Sequence, residues 1–411
     1  MRALSLATVF AALAGFVVIY LASWTLPTTS FAAFQAYWGL FFAATGFLDG
    51  IMQETTRGVS AARETGRVGS GRPWRLGAWV GGVVLLVALV VGLLWLPRLL
   101  RGEAPVGMAV AFLAFGLLTY AFQTVLSGVL SGLGLWRRYA GLVALDSGVR
   151  LLLALTAWRL GWGIEAFLFI TVVGALSWLI VLRGVPRSVL IDVTHPTFTR
   201  RVLSAMVATG ASAALITGFP VFVQSTYPPG SGTVVTVAGI INAVTLTRAP
   251  ILVPLQRFQS ALIVRFVEQR GALYRALVMP VLAVLGIGVI GAGLAWLLGP
   301  WILANFFPAD LYVPGALLAV LTFASACTGS LMVTGAAALA SELHKAYVVG
   351  WVAASVVAFG VLWLAPLSLE AGVCVALVAG PVAGGLVHAV ALRGAGAAGG
   401  AGEEMTPPGG S

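Results

Sequence analysis

Long apolar runs at regular intervals constrain the fold of this chain more than any other feature of its sequence. The first extends from Ala3 to Leu26, and eleven more follow at intervals of roughly 34 residues. A helix of about 20 residues crosses the hydrocarbon core of a bilayer, so each run can span it. Only 9% of the 411 residues are charged, against about 25% in soluble domains. The sequence therefore predicts an all-α, polytopic membrane protein with about twelve transmembrane helices, and excludes a soluble enzyme and a disulfide scaffold.

The breaks between the runs set the bounds of the predicted spans to within about three residues. The predicted spans are Ala3–Leu26, Phe31–Met52, Leu76–Leu96, Val106–Leu130, Ala140–Leu160, Ala166–Leu182, Val202–Ser225, Val234–Leu255, Ala276–Leu298, Tyr312–Ala340, Ala346–Leu364 and Ala371–Leu392.

The distribution of positive charge predicts the orientation. With a cytoplasmic N-terminus, 18 of the 23 Lys and Arg residues fall on the cytoplasmic side and three on the opposite side. This asymmetry follows the positive-inside rule and predicts a protein of the inner (cytoplasmic) membrane with both termini cytoplasmic. The net charge of +10 therefore forms a cytoplasmic collar that favours membrane lipids as partners, and no nucleic acid is expected.

The chain divides into two six-helix lobes by hydropathy, at residues 1–182 and 202–392. Residues 183–201 form the predicted cytoplasmic linker, and the Gly- and Ala-rich residues 393–411 form a predicted disordered tail. Basic loops after the second and eighth spans, Gln53–Arg75 and Gln256–Arg275, occupy corresponding positions in the two halves. Such a parallel repeat is typical of transporters that alternate access to a site near the midplane.

Enzymatic features are few. No nucleotide-binding P-loop occurs, and the three histidines are scattered, so we expect no cofactor, no metal site and no catalytic residue. The predicted external loops are short, which argues against a membrane-embedded polysaccharide enzyme acting outside the cell.

Ionisable residues inside predicted spans are the candidate functional residues, because each costs about 2.5–3.5 kcal/mol to insert. Asp146 and Arg150 lie at i, i+4 on the fifth span, where an ion pair between them competes with a role in a polar site or in proton coupling. Asp49 lies near the end of the second span, either as a headgroup-level cap or ion pair or as a coupling residue.

The eighth span carries Arg248, which has no acidic residue within one helical turn along the sequence. Three interpretations remain open: contact with a substrate phosphate, a structural hydrogen-bonding role, or snorkelling to the membrane surface. Asn242 is a second substrate-binding candidate on this span, and Pro250 and Pro254 free backbone carbonyls nearby.

Three stretches resemble the oligosaccharide flippases of the MOP superfamily, of the O-antigen flippase type. Thr29–Trp38 is similar to that family's second-helix start, with Ala33 in place of its glycine. Gly46–Arg57 is similar to the end of its second helix, and Leu246–Pro250 to its eighth.

The resemblance implies a transporter rather than an enzyme, which exports an isoprenoid-diphosphate-linked oligosaccharide for surface polysaccharide synthesis. It implies two lobes like those of multidrug (MATE) transporters, no ATP site, and cationic residues that bind the diphosphate. A polysaccharide polymerase or glycosyltransferases are the implied protein partners. By position, Arg248 and Arg150 are the cationic candidates. A small-molecule or multidrug exporter of the MATE or major-facilitator type is the alternative, because fold alone does not decide the substrate.

Overall fold

The computed structural model describes residues 2–184, 189–268 and 273–403, and within these ranges the chain is helical and without strands. Its α-helices, in chain order, are α1 (Arg2–Thr25), α2 (Thr28–Thr65), α3 (Pro73–Leu100), α4 (Val106–Gly132), α5 (Trp136–Leu160), α6 (Ile164–Val173), α7 (Trp178–Val181), α8 (His195–Ile216), α9 (Phe219–Thr226), α10 (Val237–Glu268), α11 (Leu273–Phe306), α12 (Gly315–Ala340), α13 (His344–Leu364) and α14 (Leu369–Glu403).

The spans agree with the predicted number. In the described part of the chain, 11 helices are long and apolar enough to cross a membrane, and the count reaches 12 when α8 and α9 form one bent span. The all-α, multi-pass class is therefore confirmed.

Two helices extend well beyond the predicted ends of their spans. The sequence ended the second span at Met52, but α2 continues to Thr65, where Gly66 adopts the left-handed conformation (φ 69°) and stops it. Likewise, α10 runs to Glu268 past the predicted end at Leu255. The first parts of both predicted basic loops are therefore helical, because nothing in these polar stretches breaks a helix before its end.

The sixth span, Ile164–Val181, passes through a tighter 3₁₀ turn, Gly174–Leu176, between α6 and α7. A Cβ at Gly174 would overlap the Asp146 carboxylate and lie 2.7 Å from the Arg150 guanidinium. This glycine therefore lets the helix backbone approach an ion pair, which hydropathy could not predict.

The seventh span is bent by 52° between α8 and α9. Gly218 separates the two helices, and Pro220 lies in the first turn of α9, where a proline is tolerated. These two residues account for the bend. Proline has no backbone N–H to donate to the helix, and glycine adopts backbone conformations that other residues rarely adopt.

The chain forms two compact units, Met1–Pro229 and Gly230–Ser411. The change of unit comes after α9, later than the linker predicted at residues 183–201. The reason is that α8 packs tightly against α2 in the first unit. A Cβ at Gly50 would overlap the Met206 backbone, and one at Gly39 would lie 2.7 Å from the Thr217 carbonyl oxygen.

Charged side chains fasten the chain between α7 and α8 to one end of α2. Arg57 donates to Glu54 (2.6 Å) and to Asp192 (3.0 Å), and Arg201 of α8 lies 3.8 Å from the same Glu54 carboxylate. At the other end of α2, Ser30 donates to Glu103, which lies between α3 and α4. Both ends of α2 are therefore held to neighbouring connections.

The second unit is built from α10 to α14, with α12 packed against α10, α11 and α14, and α13 against α14. The last helix, α14, extends to Glu403, so residues 393–403 of the predicted tail are helical. No proline occurs between Leu392 and Pro407 to stop it. Residues 404–411 lie outside the described part of the chain.

Candidate functional site

An ion pair on α5 anchors the candidate site of the first unit. The i, i+4 spacing places Asp146 and Arg150 on one face of the helix, and Arg150 Nη1 donates to Asp146 Oδ2 at 2.9 Å. The side chains are only 6% (Arg150) and 14% (Asp146) exposed. The expected contact between these residues is thus present, in a buried setting where each charge needs its partner.

The rest of the Arg150 guanidinium faces aromatic rings of α2. Its Cζ lies 5.1 Å from the centre of the Phe42 ring and 5.9 Å from that of Phe41, within the range of cation–π attraction. Nε and Nη2 of Arg150, and Oδ1 of Asp146, have no hydrogen-bond partner among the described residues. Buried polar atoms in proteins normally have partners, so this cluster has spare donors and a spare acceptor.

Asp49 joins the same neighbourhood from α2. The hydroxyl of Tyr120, on α4, donates to Asp49 Oδ1 at 2.9 Å. Tyr120 also lies within electrostatic range of Asp146. The structure therefore brings Asp49, Asp146 and Arg150 together in the first unit, which their separation in sequence does not show. The interpretations of Asp49 as a headgroup-level cap or ion pair and as a coupling residue both stay predictions; its described partner is the Tyr120 hydroxyl.

The other two candidates lie in the second unit, on α10. Arg248 is buried, with 7% of its surface exposed, which argues against snorkelling to the membrane surface. Asn242 is completely buried, and neither its amide nitrogen nor its amide oxygen has a hydrogen-bond partner among the described residues. The separation of six positions corresponds to about 9 Å along the helix axis.

Sequence reasoning missed part of the site. It gave no role to Tyr120, because a tyrosine in an apolar span is ordinarily read as packing. Trp38 carried a usable signal, since it is a tryptophan well inside a span, whereas indole favours the membrane interface. In the structure the Trp38 ring lies 4.7 Å from the Phe42 ring, and the Arg150 guanidinium lies over the Phe42 ring.

No family model matches the chain. Two curated relatives from Mycobacterium tuberculosis (strain ATCC 25618 / H37Rv) align along nearly its whole length. "Uncharacterized protein Rv1510" is 40% identical over 396 residues, covering 94% of this chain and 90% of the relative. "Uncharacterized protein Rv3630" is 39% identical over 390 residues, covering 93% and 89%.

Solved structures show the fold. An inward-facing multidrug resistance MATE family transporter of the MOP superfamily superposes with a TM-score of 0.73 at 15% identity, covering 92% of this chain and 94% of the other. An outward-facing MATE family transporter of the MOP superfamily superposes with a TM-score of 0.66 at 19% identity, covering 97% of this chain and 95% of the other. A MOP-superfamily transporter from Pyrococcus furiosus, described with a binding pocket of reverse polarity, gives 0.65 at 16%, covering 96% and 95%. The chain is thus a multi-pass membrane protein with the MOP transporter fold, and it belongs to the family of the mycobacterial proteins Rv1510 and Rv3630.

Proposed function

We propose that this protein is a flippase that moves an isoprenoid-diphosphate-linked oligosaccharide across the cytoplasmic membrane by alternating access. The observation that carries the proposal is the buried guanidinium in each compact unit, Arg150 in the first and Arg248 in the second. Burying a cation inside membrane helices is costly, so such residues ordinarily serve a substrate or ion pathway. A guanidinium in such a place attracts an anionic substrate.

Arginine suits a diphosphate better than any other residue. Its planar guanidinium donates two parallel hydrogen bonds to phosphate oxygens, whereas lysine offers a point charge. Nε and Nη2 of Arg150 are without partners among the described residues, and two such donors match two phosphate oxygens. The free amide of Asn242 adds donor and acceptor capacity on the helix that carries Arg248.

The carboxylates of the first unit supply a candidate for ion coupling. Asp49 is held by a tyrosine hydroxyl, which can donate to its carboxylate and can also accept from or donate to its carboxylic acid form. We assign the coupling proton to Asp49. Asp146 serves as the counter-ion of Arg150, because the 2.9 Å contact with the guanidinium already balances the charge of the Asp146 carboxylate.

A multidrug exporter of the MATE type is the second candidate, and one observation favours it. Asp49 and Asp146 both lie near Tyr120 in the first unit, and only Asp146 has a cationic partner among the described contacts, Arg150. Such an excess of negative charge attracts cationic drugs. The MATE transporters that share the fold are described as multidrug resistance proteins.

The orientation belongs to the same proposal. With both termini cytoplasmic, Gly230 is external and Arg187 is cytoplasmic, although Arg187 lies outside the described residues. A flippase in this orientation receives its substrate from cytoplasmic glycosyltransferases and delivers it to an external polymerase.

Reconstitution tests the function. The purified protein is placed in vesicles that contain a fluorescent isoprenyl diphosphate carrying a short oligosaccharide. A membrane-impermeant glycosidase then measures how much labelled lipid changes leaflet. We expect movement in vesicles with the wild-type protein and none in protein-free vesicles, and we expect no efflux of ethidium, a cationic dye. Ethidium efflux without movement of the lipid would overturn the flippase in favour of the multidrug exporter.

A further inference from the structure

Four side chains of α2 share one face of the helix. Gln35, Trp38, Phe42 and Asp49 are separated by three, four and seven residues, and these spacings return to the same side of an α-helix. This set is called the α2 stripe below. It differs from every other face of α2 in combining an amide, two aromatic rings and a carboxyl group.

Two other faces of α2 are occupied by packing. Gly46 and Gly50 lie against α8, and Gly39 lies against Thr217 and Pro220, which follow α8. On another side the Tyr37 hydroxyl donates to the Ala109 carbonyl of α4, and the Phe41 ring lies 6.3 Å from that of Tyr120. The α2 stripe runs between these two packed faces. Trp38, Phe42 and Asp49 are each half-buried, so part of each side chain stays accessible.

The aromatic members form a continuous series. The Trp38 ring lies 5.7 Å from that of Phe34 and 4.7 Å from that of Phe42. The Arg150 guanidinium continues the series, 5.1 Å from the Phe42 ring. Rings in contact lose little conformational freedom when a ligand stacks on them, so the series is a preorganised surface.

Gln35 supplies the polar group that packing does not explain. It is 4% exposed, and both its Nε2 and its Oε1 lack hydrogen-bond partners among the described residues. A buried amide without partners is destabilising, and a nonpolar side chain of the same size would be more stable there. Such a group ordinarily has a functional reason, and a ligand that both donates and accepts hydrogen bonds satisfies it.

The chemistry of the α2 stripe fits a sugar. One face of a pyranose ring presents C–H groups that stack on an aromatic ring, and its edge presents hydroxyl groups that both donate and accept. Gln35 and Asp49 offer hydrogen bonds on either side of the two rings, and Arg150 offers charge beside them for a phosphate. We infer that the α2 stripe is the subsite for the sugar rings of the substrate, with Trp38 as the stacking residue and Gln35 as the hydroxyl-binding residue. The inference rests on the proposed function, since it assigns the glycan part of that substrate.

Two lipids in a binding assay separate this inference from the proposed function. The probes are an isoprenyl diphosphate without sugar and the same lipid carrying a trisaccharide, each titrated into the purified full-length protein in lipid nanodiscs. The variants are Gln35→Leu, Trp38→Leu and Trp38→Phe. Trp95→Leu is the matched control, because Trp95 is a partly buried tryptophan of the same unit that packs on Phe222 instead.

We expect Trp38→Leu and Gln35→Leu each to weaken binding of the glycosylated lipid about tenfold and to leave binding of the bare lipid unchanged. Trp38→Phe keeps a stacking ring and should stay within about threefold of wild type. Gln35→Leu should also raise the melting temperature, since it removes the unsatisfied amide; a structural glutamine predicts the reverse. Trp95→Leu should change neither affinity.

Three outcomes overturn the inference, and they differ in what they say of the function. If wild type binds both lipids with equal affinity, the flippase proposal stands and the sugar subsite falls. If the variants bind neither lipid and also have a lower melting temperature, the α2 stripe is structural and the flippase proposal stands. If wild type binds neither lipid, both proposals fall.

Discussion

Helices α2 and α10 occupy corresponding places in the predicted two-fold repeat, yet they hold positive charge in different ways. No arginine lies in the membrane part of α2; the guanidinium above Phe42 comes from Arg150 on α5. In contrast, α10 carries its own cation, Arg248, followed by two prolines at positions 250 and 254. Helix α2 contains no proline over its 38 residues.

The difference indicates a division of tasks. A cation brought to α2 by another helix and paired with Asp146 has a fixed position, because the ion pair and two aromatic rings hold it. A cation beside prolines lies where the helix loses backbone hydrogen bonds and can bend. The first arrangement suits a binding surface that stays in place, and the second suits a charge that moves with its helix. Three sets of variants test this comparison.

The largest expected effect on the rate of transport is at Arg248. Arg248→Ala should lower lipid movement in the vesicle assay at least thirtyfold, because loss of a buried charge contact to substrate costs 2 kcal/mol or more on a scale of about 1.4 kcal/mol per factor of ten. Arg248→Lys should recover only part of the rate, since lysine cannot bind phosphate in a bidentate manner. Protein abundance in the membrane is the control: it should be unchanged in both variants. A joint loss of abundance and activity would make Arg248 structural, and full activity would leave Arg150 as the main cation.

The Asp146–Arg150 pair should show its effect first in stability. Asp146→Ala leaves a buried guanidinium without its counter-ion and should destabilise the protein by about 3–5 kcal/mol, measured by thermal unfolding in detergent. The double variant Asp146→Leu/Arg150→Met removes both charges and should return close to wild-type stability. If that stable double variant still moves the lipid at the wild-type rate, the pair has no role in transport.

The smallest effect is expected at the contact between α2 and α8. Gly50→Ala forces a Cβ into the Met206 backbone and should cost about 1–3 kcal/mol of stability. Gly82→Ala on α3 is the matched control, because no atom lies within 4 Å of the added Cβ there. The control should be neutral or stabilising by up to about 1 kcal/mol, since alanine is the better helix former. Equal stability of the two variants would mean that α2 and α8 separate easily.

The spans could be predicted from sequence because hydropathy measures the transfer of whole segments into lipid. Contacts between helices could not be predicted in this way. The Asp146–Arg150 pair approaches the backbone at Gly174, and no property of the run around Gly174 indicates this. The same holds for Arg57, in the part of α2 beyond the predicted span, which contacts both Glu54 and Asp192.

The candidate site was predictable in its members and not in its arrangement. Asp49, Asp146 and Arg150 stand out as ionisable residues in apolar spans, and the i, i+4 spacing predicts the contact within α5. The approach of Tyr120 to Asp49 and of Arg150 to Phe42 is a tertiary contact between helices, which one sequence does not encode in any local pattern.

The unbroken course of α2 has a mechanical consequence. Its 38 residues span about 57 Å at 1.5 Å per residue, nearly twice the thickness of a hydrocarbon core of about 30 Å. Without a proline inside it, the helix behaves as a lever, and a tilt at one end is transmitted to the other. A change at the Arg57–Asp192 contact that tilts α2 would therefore also turn Gln35 and Trp38, several turns away.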